Sequence, residues 1–226
     1  MRLILIRHGQ TPANVAGALD TARPGSGLTG LGHAQARALP AALDAEAITG
    51  IYVSPLVRTQ LTAEPLGAHL GYRPEIQEGF EEISAGDLEM LTDDGSRAAY
   101  AGCVATWLRG DLSATLPGAP DGHAFLERYD AAVAAVAAVH GPDETIAVVS
   151  HGAAIRSWVS LRAHLGEDEA LHLGIMNTGA AFLEGRPGDW TLTRWSSDPL
   201  GGHLGHDELA HDITGESADE AAQELS

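Results

Sequence analysis

Residues 2–9 read RLILIRHG and residues 145–152 read TIAVVSHG. Both are short apolar runs closed by a histidine and a glycine. A lone histidine is more often structural than catalytic, and an arginine beside it is often a surface residue, so neither run decides much alone. Arg2 to Ile6 reads as a buried strand and TIAVVS as a second, because strands covered on both faces are apolar throughout rather than alternating. Open α/β sheets bind their ligands at the carboxyl ends of such strands. His8 and His151 are therefore expected to face each other across one crevice.

The segments around these strands carry helical patterns. GLTGLGHAQARALPAALDAEA (27–47) predicts a helix with Thr29 as N-cap and an interruption at Pro40. ITGIYVS (48–54) predicts a strand. PLVRTQLTAEPLGAHLG (55–71) predicts a helix with proline in its first turn, a kink at Pro65 and a stop at Gly71. Residues 72–120 are weakly periodic and rich in Gly, Asp and Ser, which predicts loops and short helices inserted over the sheet. DGHAFLERYDAAVAAVAAVH (121–140) is an amphipathic helix, and GAAIRSWVSLRAHLG (152–166) is the helix after the second histidine. GAAFLE and WTLTRW, separated by GRPGD, predict a hairpin at or near a sheet edge. The expected fold is thus α/β: a three-layer sandwich with a mostly parallel central sheet flanked by helices and a small inserted cap region. Residues 1–200 form one domain in this reading. Residues 201–226, acidic and poor in large apolar side chains, form a flexible tail.

Composition excludes several functions. Of 226 residues, 13 are cationic, all of them arginine, against 31 Asp and Glu, for a net charge of -18. Such a surface repels phosphate backbones and anionic membranes, so nucleic-acid and membrane partners are not expected. The single cysteine, Cys103, forms no internal disulfide and no zinc cluster. The apolar start is too short for a signal peptide and no segment reaches membrane-spanning length, so a cytoplasmic protein is expected. The tail histidines His203, His206 and His211 fit no standard zinc spacing, and no metal site is expected.

The strand IYVS ends at the same sheet edge as the two histidines and feeds a helix whose early turn carries Arg58. Arg7 supplies a second guanidinium. Two arginines and two histidines converging on a glycine-lined crevice make an oxyanion pocket, and a phosphoryl group suits it best. Backbone N–H groups near the following helix N-termini add donors. His33, His69, His123, His140, His164 and His172 have no matching partners and are assigned surface or packing roles, as are the four tryptophans.

Five blocks carry a further resemblance: RHGQTPAN (7–14), LTGLGHAQA (28–36), SPLVRTQLTAEPL (54–66), FEEISAGDLEM (80–90) and VVSHGAAIR (148–156). In order and spacing they are similar to the histidine phosphatase superfamily, also called phosphoglycerate mutase-like, and to its phosphatase branch. The resemblance implies that His8 is the nucleophile, attacking phosphorus through a neutral imidazole to give a phosphohistidine. It further implies that Arg7, Arg58 and His151 hold the phosphoryl oxygens, with Asn14 and the Gly152 N–H as additional donors, and that no metal or cofactor is required. Glu82 matches the family's acidic residue. Alternation turns Glu81 and Glu82 to opposite sides, and the match assigns the inward, proton-transferring role to Glu82.

A cofactor-dependent mutase of the same family is the enzyme alternative. Its insertion would carry an adjacent arginine pair for a second phosphate, whereas here the insertion beyond Glu82 offers only Arg97 and Arg109. GAPDGH (118–123) departs from the Gly-Glu-Ser triplet common in the phosphatase branch, which bears on local substrate contacts. A noncatalytic phospholigand-binding or scaffold protein is the alternative from another class. The expected ligand is a small phosphomonoester, and the edge hairpin or an exposed helix is compatible with a homodimer.

Overall fold

The computed structural model describes residues 1–202 and 214–215. Six strands, β1 (Arg2–Arg7), β2 (Ile48–Val53), β3 (Glu75–Ile76), β4 (Thr145–Ser150), β5 (Ala180–Arg186) and β6 (Asp189–Ser196), form one sheet in the order β3-β2-β4-β1-β5-β6. β4 is flanked by β1 and β2, parallel to both, and β2 is parallel to β3; β5 and β6 are the antiparallel hairpin at the far edge. This is the expected mostly parallel sheet. The carboxyl ends of β1, β2 and β4 lie at one edge, with Arg7 in register with Ser150 and Val53 with Val149.

The apolar strands are buried on both faces for the reason read from their composition. Leu3 and Leu5 of β1 point into one core with Ile146 and Val148 of β4, while Ile4 and Ile6 point into the other with Ala147 and Val149. The first core is closed by α4 (Asp94–Leu108), α5 (Gly122–Ala137) and α6 (Gly152–Arg162), the second by α2 (Gly30–Ala42) and α3 (Val57–Leu70). Three layers result. Two shorter helices, α1 (Pro12–Ala16) and α7 (Glu167–His172), complete the described residues, and none of the described helices is long and apolar enough to cross a membrane.

Local signals hold at most boundaries. Thr29 caps α2 by accepting from the Gly32 N–H, an interaction worth about 1 kcal/mol, and Gly71 ends α3 in the left-handed conformation at φ 74°. Pro40 and Pro65 both lie inside their helices. An interior proline costs about 3 kcal/mol, which the packing of α2 against α3 and the sheet offsets. Pro55 does not start α3: it precedes the N-cap, Leu56.

The insertion is more regular than its composition suggests. Residues 94–108 form a fifteen-residue helix, α4, capped by Asp93 on the Ser96 N–H. Tyr100, Val104, Trp107 and Leu108 form a proper buried stripe, but Ala, Gly and Cys on the other faces erase the polar contrast that makes a helix legible. The two-residue edge strand β3 and the short α7 are too short to show a period in the sequence.

Candidate active site

The loop after β1 is clamped before it reaches any ligand. Gln10 receives the Thr29 N–H at its carbonyl and gives its own N–H to Gln35 Oε1, both at 2.9 Å. A Cβ on Gly9 would stand 2.7 Å from the Gly32 carbonyl, and one on Gly32 would stand 2.1 Å from the Gln10 carbonyl. Only glycines permit this approach. The block LTGLGHAQA therefore buttresses the loop through Thr29, Gly32 and Gln35. Thr62, from the block after β2, accepts the Gly9 N–H at 2.9 Å.

His8 and His151 emerge from adjacent parallel strands with their ring centroids 5.3 Å apart. Both are buried, and burial followed by the nearby Arg58 charge holds each imidazole well below its ordinary pKa, so both are neutral at pH 7. His8 Nδ1 lies 2.8 Å from the Gly9 carbonyl. A carbonyl only accepts, so Nδ1 carries the proton and Nε2 keeps its lone pair. His151 is held the other way: Nε2 lies 2.8 Å from Ser54 Oγ, and buried Nδ1 has no hydrogen-bond partner among the described residues.

Two guanidiniums come to this edge. Arg7 Nη1 donates to the Ile175 carbonyl at 2.9 Å and Nη2 to Thr214 Oγ1 at 3.0 Å. Arg58 Nη2 donates to the Asp20 carbonyl at 2.8 Å, and Nη1 lies 3.6 Å from Asp20 Oδ2. Arg58 Nη1 and Nε are buried without a hydrogen-bond acceptor among the described residues. An unsatisfied buried donor is costly, on the order of 1–3 kcal/mol and more when charged; the Asp20 carboxylate 3.6 Å from Nη1 offsets part of that cost.

Glu82 is buried, and its carboxylate accepts from the Ile83, Ala153 and Ala154 N–H groups at 2.8, 3.2 and 2.8 Å. The last two are first-turn amides of α6, which a helix cannot satisfy itself. Those bonds favour the ionised form. Burial outweighs them and raises the carboxyl above the usual glutamate range. Glu81 turns outward, toward Arg23 and Arg128.

His8, Asn14, Arg58 and Glu82 line one small, narrow cleft together with Asp20 and Thr214. Asn14 Oδ1 accepts from the Thr11 N–H and Oγ–H and from Asn177 Nδ2, at 3.0, 3.1 and 3.3 Å, which orients its amide. Gly152 opens α6 beside Arg7, and a Cβ there would stand 3.0 Å from Arg7 Nε and 2.2 Å from the Thr214 carbonyl. Ser54, Asp20, Thr62, Arg128, Asn177 and Thr214 were not singled out from sequence. Ser54 and Thr62 flank Arg58 within SPLVRTQLTAEPL, a spacing of four on each side that was a legible signal; Asn177 and Thr214 gave none. The tail histidines lie outside the described residues, and among those described no group of three or more His, Cys, Asp or Glu is placed to hold a metal.

Comparison with known proteins follows the same lines. A PE-PGRS family protein of Mycobacterium tuberculosis is 37% identical over 87% of this chain, which spans 36% of that protein's length. A 2,3-bisphosphoglycerate-dependent phosphoglycerate mutase of Thermoplasma acidophilum is 27% identical over 80% of the chain and 86% of its own. A mycobacterial glucosyl-3-phosphoglycerate phosphatase, solved with VO3, superposes with a TM-score of 0.73 at 27% identity, covering 87% of this chain and 99% of that one. The model of the histidine phosphatase superfamily, branch 1, matches residues 3–198, and the chain belongs to that superfamily.

Proposed function

We propose that this chain hydrolyses small phosphomonoesters through a phosphohistidine on His8. The observation that carries the reading is the state of His8: buried and neutral, its Nδ1–H spent on the Gly9 carbonyl, its Nε2 lone pair left for attack in a cleft shared with Arg58 and Glu82. In the first step Nε2 bonds to phosphorus as the ester P–O bond breaks. Glu82, whose burial favours the protonated form, gives a proton to the departing alkoxide. In the second step Glu82 takes a proton from water, whose oxygen attacks phosphorus as the P–N bond breaks and the neutral imidazole returns.

Charge stabilisation comes from Arg7 and Arg58, with the Asn14 amide and the Gly152 N–H donating to phosphoryl oxygens. Ser54 Oγ accepts the Leu56 N–H at 3.3 Å and lies 2.8 Å from His151 Nε2, and in this reading its own proton goes to that nitrogen. That leaves Nδ1–H on His151 as a donor to the transferring group.

The sequence alternative, a mutase, needs a second anion clamp. Both arginines of the insertion beyond Glu82 are already paired with carboxylates, Arg97 with Asp94 and Arg109 with Glu167 at 3.7 Å. Water rather than a second bound phosphate ester is the better-supported acceptor. The relatives named phosphatase and mutase both act on small phosphorylated metabolites by their names, which supports that substrate class here, in a cytoplasmic protein.

The test is release of inorganic phosphate from a panel of phosphoglycerates, sugar phosphates and para-nitrophenyl phosphate, with EDTA present. Turnover that survives the chelator and vanishes in His8→Ala is the expected result. Binding of phosphorylated ligands without turnover at any pH would favour the scaffold alternative, and bisphosphoglycerate-dependent interconversion would favour the mutase.

A further inference from the structure

Glu82 belongs to no helix or strand. Residues 77–85 run without regular secondary structure across the buried side of the cleft, so their carbonyls have no ladder partners. Five in succession, Gly79 to Ile83, are nevertheless satisfied, each by a side chain, the last by Tyr100 O–H at 3.0 Å. Arg128 Nη1 donates to the Gly79 and Glu81 carbonyls, both at 2.9 Å, and Nη2 donates to the Glu82 carbonyl at 2.8 Å. Ser150 Oγ donates to the Phe80 carbonyl at 2.8 Å and is itself held by Tyr129 O–H at 3.2 Å.

The contact is tight at the backbone as well. Gly79 has φ 101°, and a Cβ there would lie 2.7 Å from the Arg128 carbonyl and 2.8 Å from Ala132 Cβ. The segment is thus pressed onto α5 and pinned by one guanidinium whose fork reaches three carbonyls at once. A planar group with fixed donor directions suits this better than a flexible ammonium. The Phe125 ring, 5.3 Å from the Arg128 guanidinium carbon, backs it from below.

We propose that Arg128 is a positioning residue: it fixes the backbone on which Glu82 stands and so sets where the carboxyl meets the leaving oxygen. The inference rests on the proton-donor reading of Glu82. Among the described residues the side-chain hydrogen bonds of Arg128 all go to residues 79–82, and its charge reaches His151 only at longer range.

The consequence is a specific kinetic signature. Loss of the clamp lowers kcat/KM on alkyl phosphates, whose leaving group needs a proton in the first step, by about ten- to a hundredfold. On para-nitrophenyl phosphate, which needs little protonation, kcat/KM changes by no more than about threefold, because the second step, shared by both esters, does not enter that ratio. Arg128→Met and Arg128→Lys are measured on both ester types beside Glu82→Gln and the Arg128→Met/Glu82→Gln double variant.

Lysine keeps the charge but not the fork, so it is expected between the wild type and methionine on the alkyl ester. The double variant is expected to equal Glu82→Gln, because a residue acting only through Glu82 has nothing left to position. Full alkyl-ester turnover in both Arg128 variants, equal losses on both esters, or additive losses in the double variant would each overturn the proposal while Glu82→Gln still discriminates the esters. If Glu82→Gln itself fails to discriminate them, the proton-donor reading falls and the Arg128 role falls with it. Should Arg128→Met not fold, Arg128→Lys with the corresponding double variant decides the question by the same criteria.

Discussion

β1 and β4 end alike, one in Arg-His-Gly and the other in Ser-His-Gly, and lie side by side in parallel register, yet their imidazoles are held by opposite nitrogens. His8 gives Nδ1–H to the carbonyl of its own neighbour, Gly9; His151 is gripped at Nε2 by Ser54, from the end of β2. The Gly9 carbonyl leaves His8 Nε2 with a lone pair, and in the mechanism proposed above Ser54 leaves His151 with an N–H. That mechanism divides two identical residue types on matching sheet positions into a nucleophile and a donor by what touches the far side of each ring.

The sharpest way to break this comparison is to exchange the roles. His8→Ala is expected to abolish turnover, a loss on the order of a million-fold where a nucleophile is removed from a covalent mechanism, and to abolish the acid-labile phosphoenzyme seen after quenching with labelled substrate. A labelled phosphoenzyme surviving in that variant would place the nucleophile elsewhere. His151→Ala removes a donor rather than the attacking atom. We expect kcat to fall by about a hundred- to a thousandfold, with the phosphoenzyme still formed slowly in a long incubation.

Ser54→Ala tests the difference itself. It leaves both histidines in place but frees the His151 tautomer, so the expected loss is smaller, about tenfold in kcat. Nitrogen NMR shifts of His151 should move away from those of the Nδ1–H form while those of His8 stay put. Unchanged shifts would show that Ser54 does not set the tautomer.

Acidification probes both rings together. Each folded imidazole titrates well below the ordinary 6.5, so between that value and the folded pKa the unfolded chain binds more protons than the folded one. Stability is therefore full above about pH 6.5 and declines as pH falls. Denaturant midpoints measured from pH 8 to pH 5 should fall in the wild type and fall less steeply in His8→Gln or His151→Gln. The smallest effect is expected at the margin of the site. Thr214 Oγ1 occupies Arg7 Nη2, a donor that phosphate would also use, so Thr214→Ala should tighten inorganic phosphate, as a competitive inhibitor, by a few-fold; weaker inhibition would show Thr214 to be part of the binding surface.

Much of this architecture is written locally. The apolar runs of β1, β2 and β4, the cap at Thr29, the stop at Gly71 and the helix of residues 122–137 each follow from period, composition or a single turn residue, because those signals act within a few residues of chain. The parallel order of the strands follows from helices lying between them, and with it the meeting of His8, His151 and Arg58 at one sheet edge. The α4 helix escaped because its buried stripe is set among alanines and glycines, which pack equally well inside or outside.

Sequence by itself determined which residue types reach the carboxyl edge of the sheet. Tertiary structure alone decided what each can do there. His151 Nε2 meets Ser54, 97 positions away; the Arg58 guanidinium is held by Asp20; the raised pKa of Glu82 comes from burial outweighing three amide bonds; and the carbonyls of residues 79–82 depend on Arg128 and Ser150. Hydrogen bonds and desolvation act over a few ångströms of space, and the chain brings those neighbours together only after it has folded.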